Sequence, residues 1–172
     1  MRTPTALALL AIATAGCTGM QGSAPRAVAT LEPRSGSTVS GKVEFRATRH
    51  GVRAQVEIAG LAPGSEHGFH VHEKGDCSAP DATSAGGHFN PTGVAHGRAG
   101  AAPHHLGDMP SLVADASGRV RITFELAGLT LDGGPNSIVG RSIVLHGGVD
   151  DFATQPSGNS GPRIACGVIG TR

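Results

Sequence analysis

Three separate stretches of this chain place an apolar residue at every second position. In "KVEFRAT" they are Val43, Phe45 and Ala47; in "VRAQVEI", Val52, Ala54, Val56 and Ile58; in "RVRITFEL", Val120, Ile122, Phe124 and Leu126. A period of two belongs to the β-strand, whose successive side chains point to opposite faces, so each stretch reads as a strand with one buried face. About eight such segments are legible, near 27–34, 39–48, 52–59, 66–72, 111–116, 119–126, 141–146 and 163–169. No stretch sustains a helical period, and 27 glycines and 11 prolines punctuate the chain. Many short antiparallel strands with tight turns predict an all-β domain, closed or sandwiched. Two connections, 73–110 and 147–162, are out of proportion to the rest. Loops of that length inside a compact domain are commonly functional.

The 172 residues suffice for one domain with its own core. With no Trp, no Tyr and five Phe, an aromatic-lined pocket for a flat organic ligand is not expected. At the N-terminus Arg2 precedes the apolar run "ALALLAIA" (Ala6 to Ala13) and small residues leading to Cys17. That run is too short to span a bilayer and has the dimensions of a signal-peptide core. The expectation is export, with 1–16 a lipoprotein-type signal, Cys17 the lipidation site, 17–26 the attachment site and flexible tether, and 27–172 the domain. Cleavage takes Arg2 from the 14 basic residues and leaves all 13 acidic ones, so the mature chain is formally neutral. Such a chain is expected to bind no nucleic acid and to meet a membrane only through the lipid. With Cys17 assigned, Cys77 and Cys166 remain as a pair, and in an oxidising compartment a disulfide is their expected fate. It would close a loop of roughly 90 residues and contribute about 4 kcal/mol in the chain-entropy model.

Nine histidines are the compositional anomaly. In "GFHVHEKGDCS" (Gly68 to Ser78), a strand sends Phe69 and Val71 to one face and His70 and His72 to the other. Imidazole is the commonest protein metal ligand, and two rings on one strand face can hold one ion. An isolated pair would also suit an ordinary solvated strand, so the rest of the chain decides. The first long connection carries "GGHFNPTGVAHG" and "HHLGDMP", giving His88, His96 and His105, with Asp108 three residues further on. Three imidazoles and a carboxylate form a complete tetrahedral set for zinc. His146 ends "RSIVLH" opposite an apolar stripe, as His70 and His72 do. Six histidines and an aspartate exceed the needs of one small ion, and an imidazole set without thiolates suits copper as well as zinc. Two adjacent sites sharing a ligand would use them all, although spacing alone does not assign them.

The motifs "HGFHVHEKGD", "SAGGHFNP", "HG" at 96, "HLGD" at 105, "GRSIVLHGGVDD" and "GNSGPRIACGVIG" occur in this order. From about residue 39 to 170 the chain thereby resembles the copper/zinc superoxide dismutases, in their bacterial exported form. The resemblance implies an eight-stranded antiparallel Greek-key β-barrel with two long functional loops, and one copper and one zinc per subunit. It implies that His70, His72 and His146 bind copper alone, that His88 bridges copper and zinc, and that His96, His105 and Asp108 complete zinc. Asp150 resembles the carboxylate that orients a ligand of each metal, Arg163 the active-site arginine, and Cys77 with Cys166 the family disulfide. The implied reaction converts superoxide to oxygen and hydrogen peroxide as copper cycles between Cu(II) and Cu(I). In that cycle the bridge from His88 to copper opens on reduction and takes up a proton. The implied role is antioxidant defence in the periplasm or cell envelope, as a monomer or a homodimer.

Other residues read more plainly. His50 is expected to be solvated, His67 structural, and His104 bypassed because only His105 fits "HLGD". Asp151 is expected to cap a turn, and Glu73 and Lys74 to solvate a loop. The stretch "FATQPSGNSG" (Phe152 to Gly161) carries no charge, although the family often places substrate-steering charges there. Steering is then expected from elsewhere, with Lys74 the candidate. A copper-buffering or adhesive β-domain that keeps the site without using it is the competing reading, and a zinc-independent, copper-only member is a second rival, against which the complete set His88, His96, His105 and Asp108 argues. A degenerate member should first lose Arg163, Asp150 or a copper ligand, and none is missing.

Overall fold

A computed structural model describes residues 24–172. The expected signal segment 1–16 and Cys17 lie outside the described residues. The strands are β1 (Arg26–Pro33), β2 (Ser40–Ala47), β3 (Gly51–Ala59), β4 (Glu66–His67), β5 (Phe69–His72), β6 (Leu112–Val113), β7 (Arg119–Ala127), β8 (Ser142–His146), β9 (Arg163–Val168) and β10 (Gly170–Thr171). Helical structure among the described residues is one 3-10 turn, Thr83–Ala85. None of the described helices is long and apolar enough to cross a membrane.

Seven strands form a curled antiparallel sheet in the order β5-β8-β9-β1-β2-β3-β7, with β10 also pairing β1 and with β4 and β6 forming a separate pair. β3 and β5 follow each other closely in sequence but lie far apart in that order, as do β7 and β8. The chain must therefore cross between the two halves of the sheet, which is the Greek-key layout. All eight expected segments carry strand. The segment 66–72 is broken at Gly68, which donates to Gly148 O (2.8 Å) and accepts from His146 N (2.9 Å). The segment 111–116 shortens to β6, and β10 is an addition at the C-terminus.

The alternating residues of β1, β2 and β3 point inward, where Leu31, Val43, Phe45 and Val56 are almost fully buried with Phe69, Ile143 and Leu145 of β5 and β8. On β7 the alternation gives the correct face but overstates burial. Ile122 stays 41% exposed because β7 is an edge, paired with β3 alone.

β5 and β8 are buried on both faces. Their inner face joins the core, and the outer face is covered by the two long loops. A second apolar cluster seats the first loop there, packing Cys77, Ala82 and Ala85 on Val144 and Cys166. The Cys77–Cys166 disulfide, with Cα atoms 5.8 Å apart, joins that loop to β9.

Candidate metal centre

One edge of β5 pairs with β8; the first long loop takes the other. Phe89 N donates to Val71 O (2.8 Å), Val71 N to Gly107 O (2.9 Å) and Gly107 N to Phe89 O (2.8 Å). These bonds set His72 across from His88 and His70 across from Asp108. Gly107 is required in this weave, because a Cβ there would collide with Val71 O and press on Phe89 Cβ. His146 arrives from β8, where a register shift between Leu145 and His146 sets it opposite Arg163. Such irregularities re-aim a side chain at a strand end.

The result is two adjoining groups, His70, His72, His88 and His146, and His88, His96, His105 and Asp108. Within each, the candidate ligand atoms lie within 4.8 Å of one another. His88 belongs to both. All seven residues predicted from sequence are therefore brought together.

Hydrogen bonds on the far side of each ring fix which nitrogen faces inward. His70 Nε2 donates to Asp150 Oδ2 (2.7 Å), His72 Nδ1 to Gly86 O (2.9 Å) and His146 Nδ1 to Gly161 O (3.3 Å). That leaves His70 Nδ1, His72 Nε2 and His146 Nε2 buried and unpartnered, together with His88 Nε2. Four buried lone pairs without a donor would be costly unless a cation completes them.

On the other side of His88, three nitrogens converge on one oxygen. His88 Nδ1, His96 Nδ1 and His105 Nδ1 lie 2.9, 3.0 and 3.4 Å from Asp108 Oδ1. Tetrahedral zinc with bonds near 2 Å has ligand atoms about 3.3 Å apart, so the set fits that ion. Asp108 Oδ2 is tied down by Gly97 N (3.1 Å) and His105 N (2.8 Å), which frees Oδ1 for the cation. His96 Nε2 donates to Asp150 Oδ1 (2.9 Å), so Asp150 reaches one ring of each group.

Burial favours the neutral rings that metals need. It pushes His70 and His72 well below the usual imidazole range, with His88 adding to the effect, lowers His105, and brings His146 to about 4. Burial alone would raise Asp108. Hydrogen bonds from His88 and from the Gly97 and His105 amides outweigh it and hold the carboxyl at about 2.

A cleft of about 580 Å³ opens over the first group, lined by His72, His88, His105, His146, Gln155 and Arg163 among others. Arg163 is its one permanently charged lining residue. Its guanidinium donates to Ala82 O (2.7 Å) and Gly86 O (2.8 Å), carbonyls of the loop that the disulfide pins. Gly86 O also receives His72, so the arginine and a candidate ligand share one anchor.

Lys74, the expected source of steering, does not line the cleft. Glu73 does more than solvate, since it accepts from Gly87 N (3.2 Å) just before His88. His67 is buried and binds His146 O through Nδ1 (2.8 Å), a supporting contact. Asp151 caps its turn, accepting from Ala153 N and Thr154 N.

Two residues of the second loop went unmarked by sequence reasoning. Gln155 clasps the His96 backbone, with Oε1 accepting from His96 N (2.8 Å) and Nε2 donating to His96 O (3.0 Å). Gly158, at φ 68°, leaves room where a Cβ would strike Asp150 Oδ1 and lie 2.6 Å from His96 Nε2. Gln155 stands outside the motifs, and Gly158 opens "GNSGPRIACGVIG" without a role of its own there, since a glycine in a polar loop does not show what it makes room for.

The sequence model of the family described as "Copper/zinc superoxide dismutase (SODC)" matches residues 39–169. A superoxide dismutase [Cu-Zn] of Aquifex aeolicus is 44% identical over 135 residues, covering 76% of this chain and 79% of its own. The superoxide dismutase [Cu-Zn] of Schizosaccharomyces pombe is also 44% identical, over 153 residues, covering 84% of this chain and 97% of its own. The crystal structure of a SOD-like protein from Bacillus subtilis superposes with a TM-score of 0.74 at 37% identity, covering 81% of this chain and 95% of that one. With the family match running from β2 to β9 through both long loops, these similarities show that the chain belongs to the copper/zinc superoxide dismutase family and is an enzyme of that type.

Proposed function

We propose that the chain dismutes superoxide in the cell envelope, with copper held by His70, His72, His88 and His146 and zinc by His88, His96, His105 and Asp108. Each chain supplies both sets complete, which gives one copper and one zinc per subunit. One observation carries the reading: buried lone pairs converge on both sides of His88, beneath a cleft whose fixed charge is Arg163. Copper is assigned to the all-imidazole set because His72, His88 and His146 line the cleft, where a redox metal meets its substrate. His96 and Asp108 have fully buried side chains, and a mixed nitrogen and oxygen set suits zinc, which has no redox chemistry.

When bound, copper supplies the one-electron exchange between Cu(II) and Cu(I) by which one superoxide becomes oxygen and a second, with two protons, becomes hydrogen peroxide. Arg163 draws the anion in and orients it. Two carbonyls take up only part of its five N–H groups and hold its plane, leaving donors for the substrate. His88 Nε2 holds and delivers one proton, for it is buried without a partner on the side of the first group while Nδ1 is kept on the Asp108 side. Asp150 keeps the His70 and His96 rings presenting their Nδ1 atoms.

Export to the envelope, with a lipid on Cys17, is supported by the short apolar run before that cysteine and by the Cys77–Cys166 disulfide, a bond that persists in oxidising compartments.

The test is superoxide decay followed by stopped flow with the purified chain loaded with both metals, the metal-free chain, and the loaded Arg163→Ala variant. Fast decay that requires copper and drops at least about ten-fold in the variant is the expected result. Binding of both metals without turnover would instead assign the site to copper storage.

A further inference from the structure

The chain is close to neutral overall, but four of its arginines gather at one end of a sheet face. On the outer face of β1, β2 and β3, strand register sets Arg26 opposite Arg46 and Arg46 opposite Arg53. Arg172, whose backbone N–H binds Arg26 O (3.1 Å), brings a fourth guanidinium to the same depression, lined also by Glu44 and Gln55. Glu44 is shared by Lys42 and Arg172, and Glu125 is taken by Arg53 (2.8 Å), so Arg26 and Arg46 have no carboxylate partner among the described residues. Like charges directly opposite on a sheet are destabilising, and the core beneath this row requires none of them. The exposed aspartates Asp76, Asp81, Asp115, Asp132 and Asp151 all sit in connections, and of the glutamates on this sheet Glu57 stands further along β3, opposite Lys42 and Arg121.

The inward faces of β1 to β3 and of β5 and β8 share one core. Their outward faces therefore look away from each other, and the arginine row lies across the molecule from the metal centre. The chain enters β1 at Arg26, so the N-terminal segment joins the domain at the edge of this row.

We propose that the Arg26–Arg46–Arg53–Arg172 face docks on the anionic headgroups of a phospholipid bilayer. The proposal rests on the lipid-anchor reading above. From Cys17 to Arg26 is nine residue steps, at most about 32 Å of extended chain, so an acylated Cys17 keeps Arg26, the near end of the row, within that distance of the headgroups. Each arginine near an anionic surface strengthens binding about five-fold, and the attraction fades within a Debye length. A second copy of the chain is a poor occupant in a two-fold pairing, since the row would face its own image. Docked in this way, the protein turns its cleft toward the aqueous phase.

The experiment uses the metal-loaded mature chain carrying Cys17→Ser, which bears no lipid, in co-sedimentation with vesicles. One set is equal parts phosphatidylglycerol and phosphatidylcholine, the other phosphatidylcholine alone. The expected result is binding to the anionic vesicles only, lost at high salt. Arg26→Glu with Arg46→Glu should weaken it at least about ten-fold with dismutation unchanged, and Arg26→Gln with Arg46→Gln, a milder change, should give a smaller loss. Equal binding to both vesicle types, no binding, or indifference to the substitutions would overturn the proposal. Self-association abolished by the same substitutions, without vesicle binding, would overturn it in favour of a second copy. The mass of the native chain from membranes reports acylation separately, so failure of the anchor reading is seen independently of the vesicle result.

Discussion

Asp150 receives His70 through one carboxylate oxygen and His96 through the other. An amide in its place has one accepting atom and must present N–H₂ to one of these ring N–H groups. Asp150→Asn should therefore weaken metal retention about 10- to 100-fold, as read by competition with chelators. Unchanged affinity at both sites would show that the rings are held without it. Burial of the imidazoles also ties stability to pH. An unfolded histidine titrates near 6.5, whereas His146 stays neutral down to about 4 and His70 and His72 are shifted the same way. Between those values the unfolded chain binds more protons, so the metal-free domain loses stability as pH falls from about 6.5 to 4. A melting temperature that is flat or rises over that interval would contradict it. Residues of this kind were legible in the sequence because imidazoles and carboxylates in motifs announce their chemistry. Gln155 and Gly158 were not, because a clasp and a gap exist only once two distant loops meet.

The double-sided burial of β5 and β8 is what makes a metal platform of them, and the elements above them do the holding. The second loop grips the first through Gln155 on His96 and through Phe152, whose ring carries the Arg98 guanidinium at 3.9 Å. Gln155→Ala should hasten zinc release while leaving copper affinity at His70, His72 and His146 less affected; equal loss at both would mean that the loop acts on the whole centre. Cys77→Ser with Cys166→Ser should cost about 2–4 kcal/mol of stability and lower turnover, because the carbonyls that fix Arg163 belong to the pinned loop. Period-two alternation revealed the strands themselves. It did not reveal the break at Gly68 or the exposure of Ile122, since both depend on what a strand meets across space: a loop at Gly68, an open edge at β7.

Across the whole molecule, charge is arranged so that the cleft shows one guanidinium and the opposite face a row of them. A formal net charge of +1, the quantity a sequence offers, conceals that arrangement until strand register places the arginines. Lys74 stands outside the cleft lining, so any effect it has on substrate is through the long-range field. Lys74→Glu should then lower the second-order rate more at low salt than at high salt, and equal effects would remove it from steering. Both metal sets include a single shared ring, His88. The direct measurement places cobalt(II) in the His96, His105 and Asp108 site and copper(II) in the other, then records the copper electron paramagnetic resonance signal. Coupling through one deprotonated His88 imidazole should quench or strongly broaden that signal. A copper spectrum identical with and without cobalt would show that the two sites do not share His88.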